Sequence, residues 1–248
     1  MQTAATNRID PLMALRAFRK LRKNPEDTEQ VFMIGEALRG KSLARVTARF
    51  AATELGQAVL TGRHALLPIL ADRAALATLP AGSLGRAYLE FVVSESLSAQ
   101  GLAEAARRRD EMSQATPHER AFRSHLRDCH DLWHVLTGYG RDPLGEVSLL
   151  AFTFAQTRLT GLGAIALAGT LRIGRALRRQ PVRAAVLDAY RTGRDAQWLP
   201  GVDWSALLGR DLEYVRSKLG LLTPHRYHRI VARVGDIGSS GRKPVLTA

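Results

Sequence analysis

The chain has 248 residues, of which 46% are hydrophobic and 24% are charged, and its formal net charge is +13 at pH 7. These values are typical of a globular protein that is long enough to bury a core, and they argue against disordered and fibrous classes. A single cysteine, Cys129, excludes an internal disulfide framework and a zinc site built from several cysteines. The positive charge favours an anionic partner, with nucleic acid as the first candidate.

The positive charge is concentrated at the two ends of the sequence. Residues 1–50 carry a net charge of +5, residues 51–171 carry −1 and residues 172–248 carry +9. No nucleic-acid-binding motif accompanies this charge, so we expect no nucleic-acid partner. Residues 172–194 instead alternate arginines with apolar residues, which predicts a surface for anionic lipid. The alternative for this segment is an ordinary solvated helix face.

Helical spacing of apolar residues recurs along the chain, whereas alternating strand patterns are scarce. Together with proline, glycine and capping signals, this spacing predicts helices over residues 13–23, 28–38, 43–60, 63–79, 85–97, 101–112, 119–136, 143–159, 181–191 and 204–219. The sequence therefore predicts an all-α fold, with a single multi-helix domain over residues 1–230. The Gly/Ser-rich end predicts a flexible tail over residues 231–248.

Four of the seven histidines lie between positions 118 and 134, and three of these are on the predicted helix 119–136. His130 and His134 are four residues apart and so share one helix face, and Asp131 can lean onto the same face. A short turn leads to the next helix, which begins near Pro143 and carries Glu146 in its first turn. Because short connections make antiparallel neighbours, Glu146 is expected opposite the histidines. Two imidazoles and two carboxylates suit Zn²⁺, and also Mn²⁺ or Fe²⁺.

Each of these residues also has a simpler interpretation. A pair of half-buried helical histidines is common without a metal, and Cys129 is rotated away from His130 and favours packing. Arg127 precedes Asp131 by four residues, so an ion pair within the helix is one interpretation. The other is that Arg127 binds an anionic substrate beside the metal.

The motif His130-Asp131-Leu-Trp-His134, followed after eleven residues by Glu146, resembles the signature of the Coq4 family of ubiquinone biosynthesis proteins. The segment 79–88 (LPAGSLGRAY) is similar to the family's LPxGTLGxAY segment, with Ser83 in place of threonine. Leu149 to Phe152 and the region from Trp204 to Pro224 also resemble family segments. The resemblance covers about residues 10–225.

The resemblance implies an all-helical protein with a divalent metal, usually taken as zinc, held by His130, Asp131, His134 and Glu146. It implies a role in ubiquinone synthesis through oxidative decarboxylation at C1 of a polyprenylated 4-hydroxybenzoate-type intermediate. The expected partners are this precursor, an anionic membrane surface, other enzymes of the pathway and a second copy of the chain.

The polyprenyl tail requires an apolar site, and the Gly-rich segment 161–174 is a candidate lining for a lipid-binding cavity. A buried helix core is the equally good alternative for that segment. The N-terminus has no apolar signal-peptide region, and the apolar run 159–173 is too short to span a bilayer. We therefore expect a cytoplasmic protein bound peripherally to the inner face of the plasma membrane.

Three functions compete at this point. The first is a metal-dependent enzyme of ubiquinone synthesis, and the second is a non-catalytic, lipid-binding scaffold that presents intermediates to other enzymes. The third is a nucleic-acid-binding protein, which only the net charge suggests. The motif favours the first function and leaves the scaffold as the main alternative.

Overall fold

The computed structural model describes residues 9–23, 28–38, 40–95 and 115–239, and this part of the chain is all-helical, as predicted. It contains fourteen α-helices, one 3₁₀-helix at Leu199–Gly201 and no strand beyond an isolated bridge between Ser83 and Asp211. The α-helices are α1 Pro11–Lys23, α2 Thr28–Ala37, α3 Ser42–Ala51, α4 Glu54–Leu60, α5 Leu66–Ala71, α6 Arg73–Thr78, α7 Leu84–Ser94, α8 Pro117–Asp128, α9 His130–Thr137, α10 Pro143–Thr157, α11 Thr160–Ala176, α12 Val182–Asp195, α13 Leu212–Leu219 and α14 His225–Ser239. No helix within the described ranges is long and apolar enough to cross a bilayer.

Two compact units can be distinguished, and the first consists of the described residues of 43–136 together with 197–221. Its core is aromatic: the Phe50 ring lies 5.2 Å from that of Phe122 and stacks at 5.0 Å on the imidazole of His125. Phe122 and His125 both belong to α8, whose first turn is fixed by a capping box between Thr116 and Glu119. This unit therefore anchors α8, the helix that leads into the predicted metal motif.

The second unit consists of the described residues of 9–42, 137–196 and 222–239. Helix α10 packs against α11 and α12, and its buried side chains include Leu144, Val147 and Ala151. Helix α12 approaches α10 closely because Gly193 has no side chain: a Cβ there would lie 2.6 Å from the Phe152 carbonyl oxygen. This unit therefore fixes α10, the helix that carries Glu146.

The Gly-rich segment of α11 packs closely against neighbouring helices. A Cβ atom at Gly161 would lie 2.7 Å from Gly35 Cα, and one at Gly169 would lie 2.5 Å from a methyl carbon of Val147. Small residues here allow helices to approach, which supports the buried-core interpretation of this segment. The lipid-binding cavity stays a prediction.

Several helix bounds differ from the sequence predictions for local reasons. The predicted helix 43–60 is two helices, because the Thr53 hydroxyl caps α4 by accepting from the Gly56 N–H. The predicted helix 63–79 breaks at Asp72, whose carboxylate accepts from the Ala75 N–H. Only Leu212–Leu219 of the predicted helix 204–219 is α-helical, and Asp211 caps it. The predicted helix 101–112 lies outside the described residues.

Residues 231–239, the first part of the predicted tail, continue helix α14, and the flexibility of the tail stays a prediction. Tyr227, Ile230 and Val234 are buried at helical spacing, so one face of α14 packs on the core of the second unit. The Gly/Ser content of this end masked that periodicity in the sequence. Residues 240–248 lie outside the described part of the chain, and the domain boundary at residue 230 stays a prediction.

We predict that His125 makes folding stability depend on pH. Burial lowers the pKa of His125 to about 4, while its ring Nε2 contacts the Pro200 carbonyl oxygen at 3.1 Å. The unfolded chain therefore binds the proton more readily, and this contribution is lost as pH falls from about 6.5 towards 4. Urea unfolding at pH 7 and at pH 4 would measure the effect. Between these pH values the free energy of unfolding should fall by roughly 3 kcal/mol more in the wild type than in His125→Gln.

The exposed His118 on the same helix provides the matched control. His118→Gln should lose as much stability as the wild type over this pH range. An equal pH dependence in His125→Gln and the wild type would contradict the assignment.

Candidate metal centre

The two motif histidines lie on one face because the helix is nearly continuous from α8 into α9. Cys129 separates the two helices, yet its φ of −76° and ψ of −17° are helical. Its N–H donates to the His125 carbonyl oxygen at 3.1 Å, and its own carbonyl accepts from the Trp133 N–H at 2.9 Å. The predicted helix 119–136 is therefore assigned as two helices, α8 and α9, although its backbone continues through Cys129. The four-residue spacing of His130 and His134 still places both rings on one side.

The imidazoles of His130 and His134 point their Nε2 atoms at each other across 3.2 Å. The rings are nearly perpendicular, at 89°, with centroids 4.8 Å apart. His134 is only 1% exposed, and its ring stacks on Phe91 with centroids 5.6 Å apart. This aromatic contact fixes the orientation of the His134 ring. Nothing in the sequence around Phe91 predicted that it would contact the motif.

Helix α10 supplies the carboxylate. Asp142 caps the helix and Pro143 occupies its first turn, as the sequence predicted, so Glu146 projects from the start of the helix. Its Oε1 lies 3.6 Å from Arg141 Nε, and both side chains are about one-third exposed. One potential ligand atom from each of His130, His134 and Glu146 lies within 4.8 Å of the others. The structure thus brings together three of the four predicted ligands.

The donor set and spacing of this group fit a divalent cation. Zinc binds imidazole nitrogen at about 2.0–2.1 Å, so two tetrahedral imidazole ligands have nitrogens about 3.3 Å apart. The observed separation of 3.2 Å matches this value. Imidazole and carboxylate ligands suit Zn²⁺, Fe²⁺ and Mn²⁺. The residues present therefore fit the predicted metal without selecting one.

Asp131 does not belong to the group of three, and its role as a fourth ligand stays a prediction. Its charge acts on Tyr88, a buried residue of the LPAGSLGRAY segment on α7. Burial, and after it the charges of Asp131 and Asp128, raise the pKa of Tyr88 to about 12. Tyr88 therefore stays a neutral phenol at physiological pH. Its segment stood out in the sequence, but nothing there indicated a phenol close to the aspartates.

Asp128 is a second acidic residue whose charge acts on Tyr88, and the sequence did not single it out. Burial raises its pKa to about 6, and the guanidinium of the adjacent Arg127 acts in the opposite direction. Arg127 itself donates from Nη2 to Ser124 Oγ at 3.0 Å. Its predicted contact with an anionic substrate stays a prediction.

Cys129 takes no place in the candidate centre. Its side chain is completely buried, and burial raises the pKa of the thiol. A raised pKa disfavours the thiolate that metal binding requires. The packing role expected for Cys129 therefore agrees with its surroundings.

We predict that His134→Ala and Glu146→Ala each weaken Zn²⁺ binding by more than about 100-fold, because each removes a direct ligand and outer-shell changes alone cost 10- to 100-fold. Zn²⁺ affinity would be measured by competition with a chromophoric chelator. Removal of the exposed His118 side chain by His118→Ala is the matched control and should leave the affinity unchanged. Tight binding by both ligand variants would place the metal elsewhere.

The sequence of the chain matches a known protein family. Residues 5–225 match the model of a family described as coenzyme Q (ubiquinone) biosynthesis protein Coq4. A mitochondrial ubiquinone biosynthesis protein coq4 of Talaromyces stipitatus is 27% identical over 203 residues, which are 81% of this chain and 68% of that protein. The protein of the same name in Botryotinia fuckeliana is 28% identical over 205 residues, which are 81% and 70% of the two chains.

A solved structure has a similar fold. The crystal structure of a Nostoc punctiforme protein, provisionally described as a ubiquinone biosynthesis protein, matches with a TM-score of 0.61 at 20% identity. The match covers 86% of this chain and 99% of that one. At this identity the comparison supports the all-helical fold alone.

Proposed function

The chain belongs to the Coq4 family of ubiquinone biosynthesis proteins, and we propose that it is a metal-dependent enzyme of that pathway. Its proposed reaction is the oxidative decarboxylation at C1 of a polyprenylated 4-hydroxybenzoate-type intermediate. The observation that carries the proposal is the group formed by His130, His134 and Glu146, whose ligand atoms lie within 4.8 Å of one another. The chain therefore has both the family's motif and a donor set suited to a divalent cation.

In the proposed reaction the bond from the ring to the carboxylate breaks and CO₂ leaves. A carbon–oxygen bond forms at the same ring position with the oxygen of a water molecule, which loses a proton. The two electrons of the broken bond pass to dioxygen, the proposed oxidant, which takes up two protons and leaves as hydrogen peroxide. A divalent metal, when bound, supplies a Lewis acid that stabilises negative charge on the substrate oxygens. Zinc supplies no electrons of its own, whereas iron would also permit activation of dioxygen.

In this proposal, other residues of the chain orient the metal ligands and bind the substrate. Stacking on Phe91 keeps the His134 ring in one orientation. Arg127 is proposed to bind the substrate carboxylate, and Asp131 is proposed to complete the ligand set. Tyr88, whose pKa is raised to about 12, is protonated at neutral pH and is proposed as a hydrogen-bond donor.

The alternative is a lipid-binding scaffold in which the metal is structural and other pathway enzymes perform the chemistry. Both functions require the same family membership and the same folded site, so purified protein must distinguish them. Turnover of a short-tailed 4-hydroxybenzoate-type substrate under air, with release of CO₂, supports the enzyme. Binding of that substrate without turnover, by protein loaded with Zn²⁺ and separately with Fe²⁺, supports the scaffold.

We predict that cells lacking the gene accumulate a polyprenylated intermediate that keeps its carboxylate, measured by mass spectrometry of extracted lipids. Re-expression of the wild type should restore the quinone, and His134→Ala at equal protein level should not, because a metal ligand is missing. His118→Ala is the matched control and should restore it. A normal quinone profile in the deletion strain would contradict the pathway assignment.

The proposed partners also include an anionic membrane on the cytoplasmic side, other pathway enzymes and a second copy of the chain. Within residues 172–194, arginines such as Arg178 and Arg179, in the turn between α11 and α12, are exposed, but the apolar residues of this segment mostly face inward. Val182 and Val186 are buried, and Leu187 is the exception at 45% exposed. This segment therefore offers charge with little apolar surface.

Helix α1 and the residues just before it combine exposed apolar side chains with positive charge, the two properties that binding to an anionic membrane requires. Ile9, Leu12 and Leu15 are 53%, 56% and 47% exposed, while the small Ala14 and Ala17 face inward. The helix contains no acidic residue, and its last turn is basic. A cavity of about 350 Å³ beside it is lined in part by the side chains of Leu12, Met13, Arg16 and Lys20. We therefore propose α1 as the principal lipid-facing surface.

We predict that Arg16→Glu combined with Lys20→Glu lowers binding to phosphatidylglycerol-containing vesicles more than tenfold, because each basic side chain near an anionic membrane contributes about 1 kcal/mol. Binding would be measured by co-sedimentation. Arg178→Glu combined with Arg179→Glu makes the same charge change on the other surface and should have a smaller effect. The opposite order of effects would assign docking to residues 172–194.

A further inference from the structure

The turn between α9 and α10 is fixed by a side chain from the last described helix. Tyr227, on α14, is 4% exposed and reaches this turn with its phenol group. The phenol O–H donates to Asp142 Oδ2, and the phenol oxygen accepts from the Gly140 N–H at 2.8 Å. One hydroxyl therefore joins the backbone of the turn to the side chain that follows it.

Asp142 carries this connection into α10. Its Oδ1 accepts from the N–H groups of Leu144 at 3.0 Å and Gly145 at 3.2 Å, which caps the helix. Its main-chain carbonyl accepts from the Glu146 N–H at 2.9 Å, which is the first helical hydrogen bond. Tyr227 thus binds one oxygen of a carboxylate whose other oxygen holds the turn that carries Glu146.

The turn is closely packed around two of its glycines. A Cβ atom at Gly140 would lie 2.8 Å from the Tyr227 hydroxyl oxygen, and one at Gly145 would lie 2.0 Å from the Gly140 carbonyl oxygen. The Tyr227 ring also packs edge-on against Tyr139 with centroids 5.2 Å apart. Tyr227 therefore contacts the turn through both its ring and its hydroxyl.

We propose that Tyr227 is a positioning residue for Glu146: its hydroxyl, through Asp142 and Gly140, sets the orientation in which Glu146 presents its carboxylate to a divalent cation. The inference rests on the proposed metal site. Tyr227 lies two residues beyond the range that matches the family model. Burial, and after it the hydrogen bond to Asp142, raise the pKa of Tyr227, so the phenol keeps the proton that it donates.

The test is Tyr227→Phe, which removes the hydroxyl and keeps the ring that packs on Tyr139. Full-length protein would be titrated with Zn²⁺ in competition with a chromophoric chelator, and its unfolding temperature would be measured without metal. We expect Zn²⁺ affinity to fall about tenfold, the lower range of outer-shell effects. Tyr214→Phe, at a tyrosine that is 54% exposed, is the matched control and should not change the affinity.

The same substitution in a Glu146→Gln variant separates a positioning role from a general loss of stability. If Tyr227 acts through Glu146, Tyr227→Phe should have no effect on Zn²⁺ affinity in protein that already carries Glu146→Gln. The same tenfold loss in both backgrounds would overturn the positioning role, as would wild-type affinity in Tyr227→Phe alone. Absence of Zn²⁺, Fe²⁺ and Mn²⁺ binding in the wild type would instead overturn the proposed metal site and this inference together.

Discussion

The arrangement of the candidate centre depends on two imidazole nitrogens held 3.2 Å apart on one helix face. Two imidazole nitrogens at this separation can bind one cation between them. The helical backbone through Cys129 sets the spacing, and the aromatic ring of Phe91 limits rotation of His134. A carboxylate in the same group adds the negative charge that favours a cation.

The sequence predicted the parts of this site that depend on helix periodicity. The four-residue spacing of His130 and His134 needs only a helix, and the Asp-Pro cap of α10 is a local signal, so both were predicted correctly. The proximity of Glu146 followed from the short turn. Side chains supplied from distant parts of the chain, such as Phe91 and Tyr227, could not be predicted, since no local pattern encodes which ring packs against which turn.

The fold shows the same division between local and distant causes. The all-helical class followed from spacing along the whole chain, whereas the breaks at Thr53 and Asp72 arose because a polar side chain captured a backbone N–H inside an apolar stretch. Glycine-rich composition did not by itself distinguish loose from packed segments. The Gly/Ser-rich end continues as α14 through residue 239, and glycines of α11 serve close packing.

X-ray absorption spectroscopy of the purified, metal-loaded protein would identify the atoms that bind the metal. A centre built on His130, His134 and Glu146 should give a first shell of nitrogen and oxygen at about 2.0–2.1 Å for zinc, with scattering from two imidazoles. His134→Ala protein, loaded at high zinc, should show one imidazole fewer. A sulfur shell at about 2.3 Å, or two imidazoles in both proteins, would contradict a centre built on His130 and His134.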